Sequence, residues 1–423
     1  METYASVLQI AIVVFVALIG VEWLASYFMK VKVYRSFDTI SSLSSGLTNN
    51  IKSIFKLSVI VISYKYMYEN WAVFEIQSSI YLYILAFIGI DFASYWSHRW
   101  NHKFNILWNR HIVHHSSEEY NLAAALRQSI SEVFQIYFFL YMPMAIFGIP
   151  TSIIAVVAPL HLFAQFWYHT KLIKKMGFLE HIIMTPSHHR VHHAINDEYL
   201  DKNFAAIFIL WDKWFGSFQE ELEEVPPVYG VKKPVKTWNP FLINFMHLFQ
   251  LIKDAWRAEK FSDKLRIWFM PTGWRPADVN EKYPISFTVH AKDQVKYDTE
   301  ATPGLIYWSW FQVALHLLLQ IHIIRLLPDI PYGDSLMYGV FIMVSIYAYT
   351  SLMDRHWLAI PIEIIKMVIG LVLIYNLNGW FNLDTVIPFA TYIMIAYLFA
   401  SLGMTLYYSF FQKIEIGQQS GFE

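Results

Sequence analysis

The apolar residues of this chain are gathered into blocks of about 20 rather than spread at the period of a soluble core, and a helix of that length crosses a hydrocarbon layer of roughly 30 Å. Only 15% of the 423 residues are charged, against roughly 25% in soluble domains. The expected fold is therefore all-α: a polytopic membrane helical bundle. Blocks at 5–29, 51–68, 81–96, 130–147, 152–167, 305–327, 336–352, 357–375 and 385–410 predict about nine spans. The first lacks a basic leader and a small-residue cleavage site, so it reads as a retained anchor. The fourth and fifth form a hairpin around Gly148-Ile149-Pro150, which cannot continue a helix.

Polar stretches divide the chain. Residues 1–80 read as N-terminal anchor spans, 81–220 as a helical histidine-rich domain, 221–300 as a cytosolic or interfacial segment broken by Pro226, Pro227, Pro234 and Pro271, and 301–423 as a four-span membrane domain. Nine crossings would put the termini on opposite sides. Placing Lys30, Lys32, Arg35, the 97–128 loop, the 171–300 region, Arg355 and Lys413 inside leaves loops 328–334 and 377–384 outside without a Lys or Arg, so the histidine-rich region is expected at the cytosolic face. A net charge of -1 and the absence of basic runs interleaved with aromatics exclude nucleic acid as a partner.

Eight of the 17 histidines fall into three groups: His98 and His102; His111, His114 and His115; His189, His192 and His193. On a helix, residues three or four apart share a face with Cβ atoms about 5–6 Å apart, which is metal-ligand spacing. With no cysteine in the chain, thiolate ligands and disulfides are excluded. Eight imidazoles exceed the four ligands that close a zinc site, so two metals are expected; imidazole suits iron, zinc and copper alike. His247, His290, His316, His322 and His356 read as interfacial or core residues, and His161 as intermediate, since it shares a helix with Gln165 and His169. Glu118, Glu119, Asn121, Arg127, Gln128 and Asp212 are candidates to orient the imidazoles, because metal-bound rings usually donate their other N–H.

The order HxxxH, HxxHH, HxxHH, followed by Asn203 and the run Trp211-Asp212-Lys213-Trp214-Phe215-Gly216, resembles the fatty acid hydroxylase and sterol desaturase superfamily. The stretches Asn121 to Ser129, Gln165 to Thr170 and Thr185 to His193 resemble its ether-lipid branch. The resemblance implies a membrane di-iron oxygenase with O2 as co-substrate and a membrane lipid as substrate. It implies oxidation of the carbon beside an ether oxygen, giving a fatty aldehyde and a glycerol backbone, with tetrahydrobiopterin as reductant. It carries the eight histidines over as metal ligands and adds His169 and His188 to complete the two coordination spheres. Where relatives have a second HxxxH in the hairpin, this chain has Gln165 and His169, so one ligand is an amide or absent. The alternatives are a sterol or fatty-acyl desaturase or hydroxylase fed by a cytochrome-type donor, and, from another class, a metal transporter or sensor. The orientation suits a bacterial inner membrane and an endoplasmic reticulum equally. No flavin, haem or nicotinamide fingerprint is present, which agrees with an external electron donor.

Overall fold

The computed structural model describes residues 2–411, with side chains from Ile12 onward; Lys413, counted above among the inner cations, lies outside the described residues. The longer helices are α1 (Glu2–Phe28), α2 (Ser36–Ile54), α3 (Tyr64–Trp71), α4 (Ile80–Lys103), α5 (Phe138–Phe147), α6 (Thr151–Phe163), α7 (Pro186–His192), α8 (Leu210–Trp214), α9 (Pro240–Arg257), α10 (Phe261–Arg266), α11 (Pro303–Leu326), α12 (Tyr332–Met353), α13 (Ala359–Leu377) and α14 (Ala390–Leu406). Strand β1 (Val59–Ile60) pairs in parallel with β2 (Phe134–Gln135), and short helical pieces, among them Ala277–Lys282, lie in the connections.

Among the described residues, five helices are long and apolar enough to cross a bilayer: α4, α11, α12, α13 and α14 with the turn that extends it to Phe411. The count of nine is not supported. The block at 51–68 is not one helix: α2 ends at Ile54, Lys56 takes a left-handed backbone, β1 follows, and Ser63 starts α3 by accepting the Tyr66 N–H. The hairpin forms, but α5 and α6 have 10 and 13 residues. At 1.5 Å per residue they reach only about 15 and 20 Å, short of the bilayer core.

The helix that runs alongside the C-terminal spans is α2, which no hydropathy scan would select. Its Ile40, Leu47 and Ile51, with Phe55 just beyond its end, join Tyr338, Phe341, Ile342 and Ile346 of α12 in the largest core. Gly339 allows this approach, since a Cβ there would meet the Phe55 ring at 2.5 Å. Ser41, Ser42, Ser44, Ser45 and Thr48 are buried too, yet their hydroxyls are satisfied: Ser42 and Ser44 donate to carbonyls one turn back, Ser41 to the Trp238 carbonyl, Ser45 to that of Gln128. A polar helix is tolerated at membrane depth when protein, not lipid, surrounds it.

A second core lies between α4 and the hairpin, where Leu82, Ala86 and Ile90 meet Met144, Ile153 and Val157. It fixes the N-terminal half of α4, and the polar C-terminal turn, carrying His98 and His102, extends beyond it.

Candidate metal centre

Three short pieces of chain converge on the end of α4. His111 precedes the single turn Ile112–His115, α7 begins with Pro186 at its first position and carries His189 and His192, and His169 follows the turns that close α6. Nine histidines form two groups. His98, His102, His111, His115 and His192 make one; His114, His169, His189 and His193 make the other. Within each, one ring nitrogen per residue lies within 4.8 Å of all the rest. The second and third sequence motifs are each split between groups, so neighbouring histidines face different centres. The groups share a wall: the His115 and His193 rings stack with centroids 4.3 Å apart.

The outer ring nitrogens settle which atoms point inward. His98 Nδ1 donates to the Phe204 carbonyl (2.7 Å), His192 Nδ1 to Lys202 (2.9 Å), His169 Nδ1 to Gln165 (3.1 Å) and His114 Nδ1 to Arg127 (3.3 Å). A carbonyl only accepts, so in these neutral rings the proton sits on Nδ1 and Nε2 is a bare lone pair. Yet His114 Nε2 and His169 Nε2 face each other at 3.3 Å, two lone pairs with no proton between them. His102 Nε2 and His192 Nε2 are buried without any partner. A cation at each centre resolves both conflicts, and the all-nitrogen donor set fits iron, zinc or copper. Burial, followed by the neighbouring imidazoles, pushes His114 down to about 3 and His115, His169, His189, His192 and His193 well below the usual imidazole range. All are therefore neutral at pH 7, the state a ligand needs.

Backbone carbonyls, more than carboxylates, orient the rings. The nearest carboxylate is Asp201, 3.7 Å from His102 Nδ1. Of the sequence candidates, Arg127 reaches a ring through its carbonyl while its guanidinium pairs with buried Asp38. Asp212 acts through the chain, accepting the Phe204 and Ala205 N–H groups at 2.8 Å and the Ser217 hydroxyl at 2.7 Å, so it holds the turn whose carbonyl takes His98. Glu118 binds Arg35 and the Tyr297 N–H, Glu119 binds Lys171 and Lys296, Asn121 donates to the Val33 carbonyl and Gln128 to that of Ala125; none of these touches a ring of either group. A residue the sequence reading passed over, Asp91, is buried inside α4 and accepts from His161 Nε2 (2.7 Å), the Ile207 and Phe208 N–H groups and Trp211 Nε1. Its signal was a lone carboxylate within the apolar block 81–96.

His188 is not brought into either group. Its Nδ1 meets the Thr185 hydroxyl at 3.3 Å, its Nε2 lies 3.8 Å from Glu180, and its ring packs against Phe218. Nor is the Gln165 amide a member: it faces His161. Replacing His188 with Ala is expected to leave the metal content per chain unchanged, measured by mass spectrometry on purified protein. Loss of a metal ion would make it a ligand.

The two groups differ in access. A cleft of about 280 Å³ has His102, His115 and His192 in its floor and Trp108, Leu200, Met246, Leu251 and Trp274 among its walls. The four-histidine group is instead packed behind aromatic rings, with Tyr168 4.4 Å from His189 and Tyr120 5.4 Å from His193 between centroids.

The family model described as Fatty acid hydroxylase matches residues 83–217, a stretch that holds all nine histidines. Among curated proteins, an alkylglycerol monooxygenase of Homo sapiens is 42% identical over 264 residues, covering 62% of this chain and 58% of that protein. One of Xenopus tropicalis is 34% identical over 364 residues, covering 86% of this chain and 81% of its own length. An ornithine lipid hydroxylase of Rhizobium tropici is 25% identical over 136 residues, 32% of this chain and 41% of that protein. No solved structure matches this chain.

Proposed function

Because the chain belongs to the alkylglycerol monooxygenase family, we propose that it is a membrane-embedded, O2-dependent monooxygenase that cleaves the ether bond of alkylglycerol lipids. The observation that carries the reading is the pair of adjacent all-imidazole groups with bare inward nitrogens, one of them open to a cleft. The nine histidines would hold two iron ions, which when bound supply oxidation of a C–H bond by O2.

The chain's own residues do the rest. The cleft brings a lipid carbon next to the five-histidine group, and its aromatic and aliphatic walls keep water from the reacting carbon. Phe204, Lys202, Gln165 and Arg127 hold four rings by their carbonyls, so the centre is fixed before substrate arrives. The favoured carbon is the one beside the ether oxygen, whose lone pair weakens the C–H bond. Overall, RCH2–O–R′ with O2, two electrons and two protons gives RCH(OH)–O–R′ and water; the hemiacetal then breaks its C–O bond to release RCHO and HO–R′. The two electrons come from outside the chain, from reduced tetrahydrobiopterin. We place the centre on the cytosolic side, because the cation-rich 97–128 and 171–300 stretches lie at its end of α4.

Product analysis tests the reaction. Incubated with an alkylglycerol, O2 and the reduced pterin, the protein is expected to release a fatty aldehyde and free glycerol in equal amounts. A hydroxyl group or double bond on an intact lipid would overturn ether cleavage and place the chain with the sterol and acyl enzymes.

A further inference from the structure

Helices α9 and α10 lie outside the five apolar spans and outside the stretch matched by the family model, yet they expose an apolar stripe. Phe249, Ile252 and Trp256 follow one another at spacings of three and four along α9, and are 55%, 46% and 84% exposed. Phe261, Leu265 and Phe269 continue at spacings of four through α10 and just beyond it, at 71%, 57% and 70%. The opposite side of α9 is satisfied: Ile243, Leu251 and Ala255 are buried, and Asp254 is bridged to Arg275 at 2.7 Å. The exposed stripe is therefore a second apolar face on a helix that already has a core-facing one.

Two further observations say what covers it. The first is position. At its start, α9 is tied to the C-terminal end of α12: the Trp238 N–H donates to Asp354, the Asn239 amide to Ser351, and the Phe241 ring packs on Tyr347. At its middle it is tied just beyond the C-terminal end of α4, where His247 Nε2 donates to the Asn105 carbonyl and the Leu248 N–H to Asn109. A helix bridging the same ends of two spanning helices runs along the bilayer surface, not through it. The second is charge. The acids of this stretch are each engaged: Asp254 by Arg275, Glu259 by Lys282, Asp263 by Arg266. Among the described residues Lys253, Arg257, Lys260 and Lys264 pair with no carboxylate. They flank the stripe and carry their charge on long apolar stems.

We infer that α9 and α10 form an interfacial element that seats Phe249, Ile252, Trp256, Phe261, Leu265 and Phe269 in the headgroup boundary of the bilayer, with Lys253, Arg257, Lys260 and Lys264 meeting anionic lipid headgroups. Arg257 lies over the Tyr283 ring and Lys264 donates to the Trp256 carbonyl, so none of the four is neutralised; bulky rings on one side and cations without a carboxylate partner beside them are the signature of a helix lying in the membrane plane. The same helix forms a wall of the cleft through Met246, Gln250 and Leu251, so α9 stands between the lipid surface and the five-histidine group.

The chain has no cysteine, which makes the test clean. Trp256→Cys, Phe261→Cys and Phe269→Cys, each labelled with an environment-sensitive fluorophore and placed in phosphatidylcholine–phosphatidylglycerol vesicles, are compared with Asp197→Cys. Metal content equal to the parent protein verifies that each variant is folded. The expected result is strong quenching of the three labels by bromine-bearing lipids and a several-fold weaker iodide quenching than at position 197. Replacing Lys253, Lys260 and Lys264 together with Gln is expected to remove the dependence of lipid quenching on phosphatidylglycerol. Iodide quenching as free as at position 197, with no response to brominated lipid, would overturn the proposal and leave the stripe as a surface for a partner protein. Neither outcome depends on which lipid the enzyme oxidises.

Discussion

Replacing His192 with Ala is expected to strip the metal from the five-histidine group and abolish aldehyde release, while the protein remains folded in the membrane. His192 donates Nδ1–H to the Lys202 carbonyl and turns a buried, unpartnered Nε2 to the centre. It also stands in the floor of the cleft, so the group it completes is the one a substrate meets. Removing a ring that touches the metal exceeds the loss of an outer partner, which alone costs about 10–100-fold in affinity. Metal content is expected to fall from about two to about one per chain, because the four-histidine group keeps all its members. His322→Ala is the control: that ring meets the Tyr338 hydroxyl between α11 and α12 and is expected to change neither metal nor turnover. Full turnover in His192→Ala would remove His192 from the centre.

Asp212→Ala is expected to produce the largest effect of any change that touches no histidine. Its carboxylate is fully buried and accepts two backbone N–H groups and one hydroxyl. Alanine leaves two buried N–H donors unpaired, a cost of about 2–6 kcal/mol for the fold. The Phe204 carbonyl then loses its fixed position and His98 its orientation. Thermal unfolding is expected to move down, and the five-histidine group to lose metal affinity while the four-histidine group retains it. Asp212→Asn, which keeps one oxygen for the turn, is expected to be milder on both readouts. An unchanged melting temperature in the alanine variant would show that the turn stands without Asp212.

How far these features were legible in the sequence depends on what held each one. The histidine spacings were legible because metal ligation requires several imidazoles on one face, and no apolar core uses that pattern. Their division was not: His111 and His115 face one centre while His114, between them, faces the other, on a turn whose Ile112 and Val113 pack against Val231, Val235 and Ile243. His188 precedes His189 by one residue, about 100° around a helix, and that rotation turns it to Phe218 and Glu180. His169 was recoverable only by resemblance, because the turns after α6 that return it to the centre have no sequence period. The C-terminal spans were legible because lipid surrounds much of their surface. Helix α2 was not, since its hydroxyls satisfy themselves against carbonyls and are hidden by protein. The hairpin was overread because residues 130–137, which mix Ser131, Glu132 and Gln135 with apolar side chains, contain an extended pair, with Tyr137 donating to Asn101, before α5 begins.

The most direct test of the two-centre account is metal content by mass spectrometry on detergent-purified protein. About two irons per chain, each lost independently when one histidine of its own group is replaced, is the predicted result. One ion or none per chain, or both ions lost together from a single replacement in either group, would contradict it.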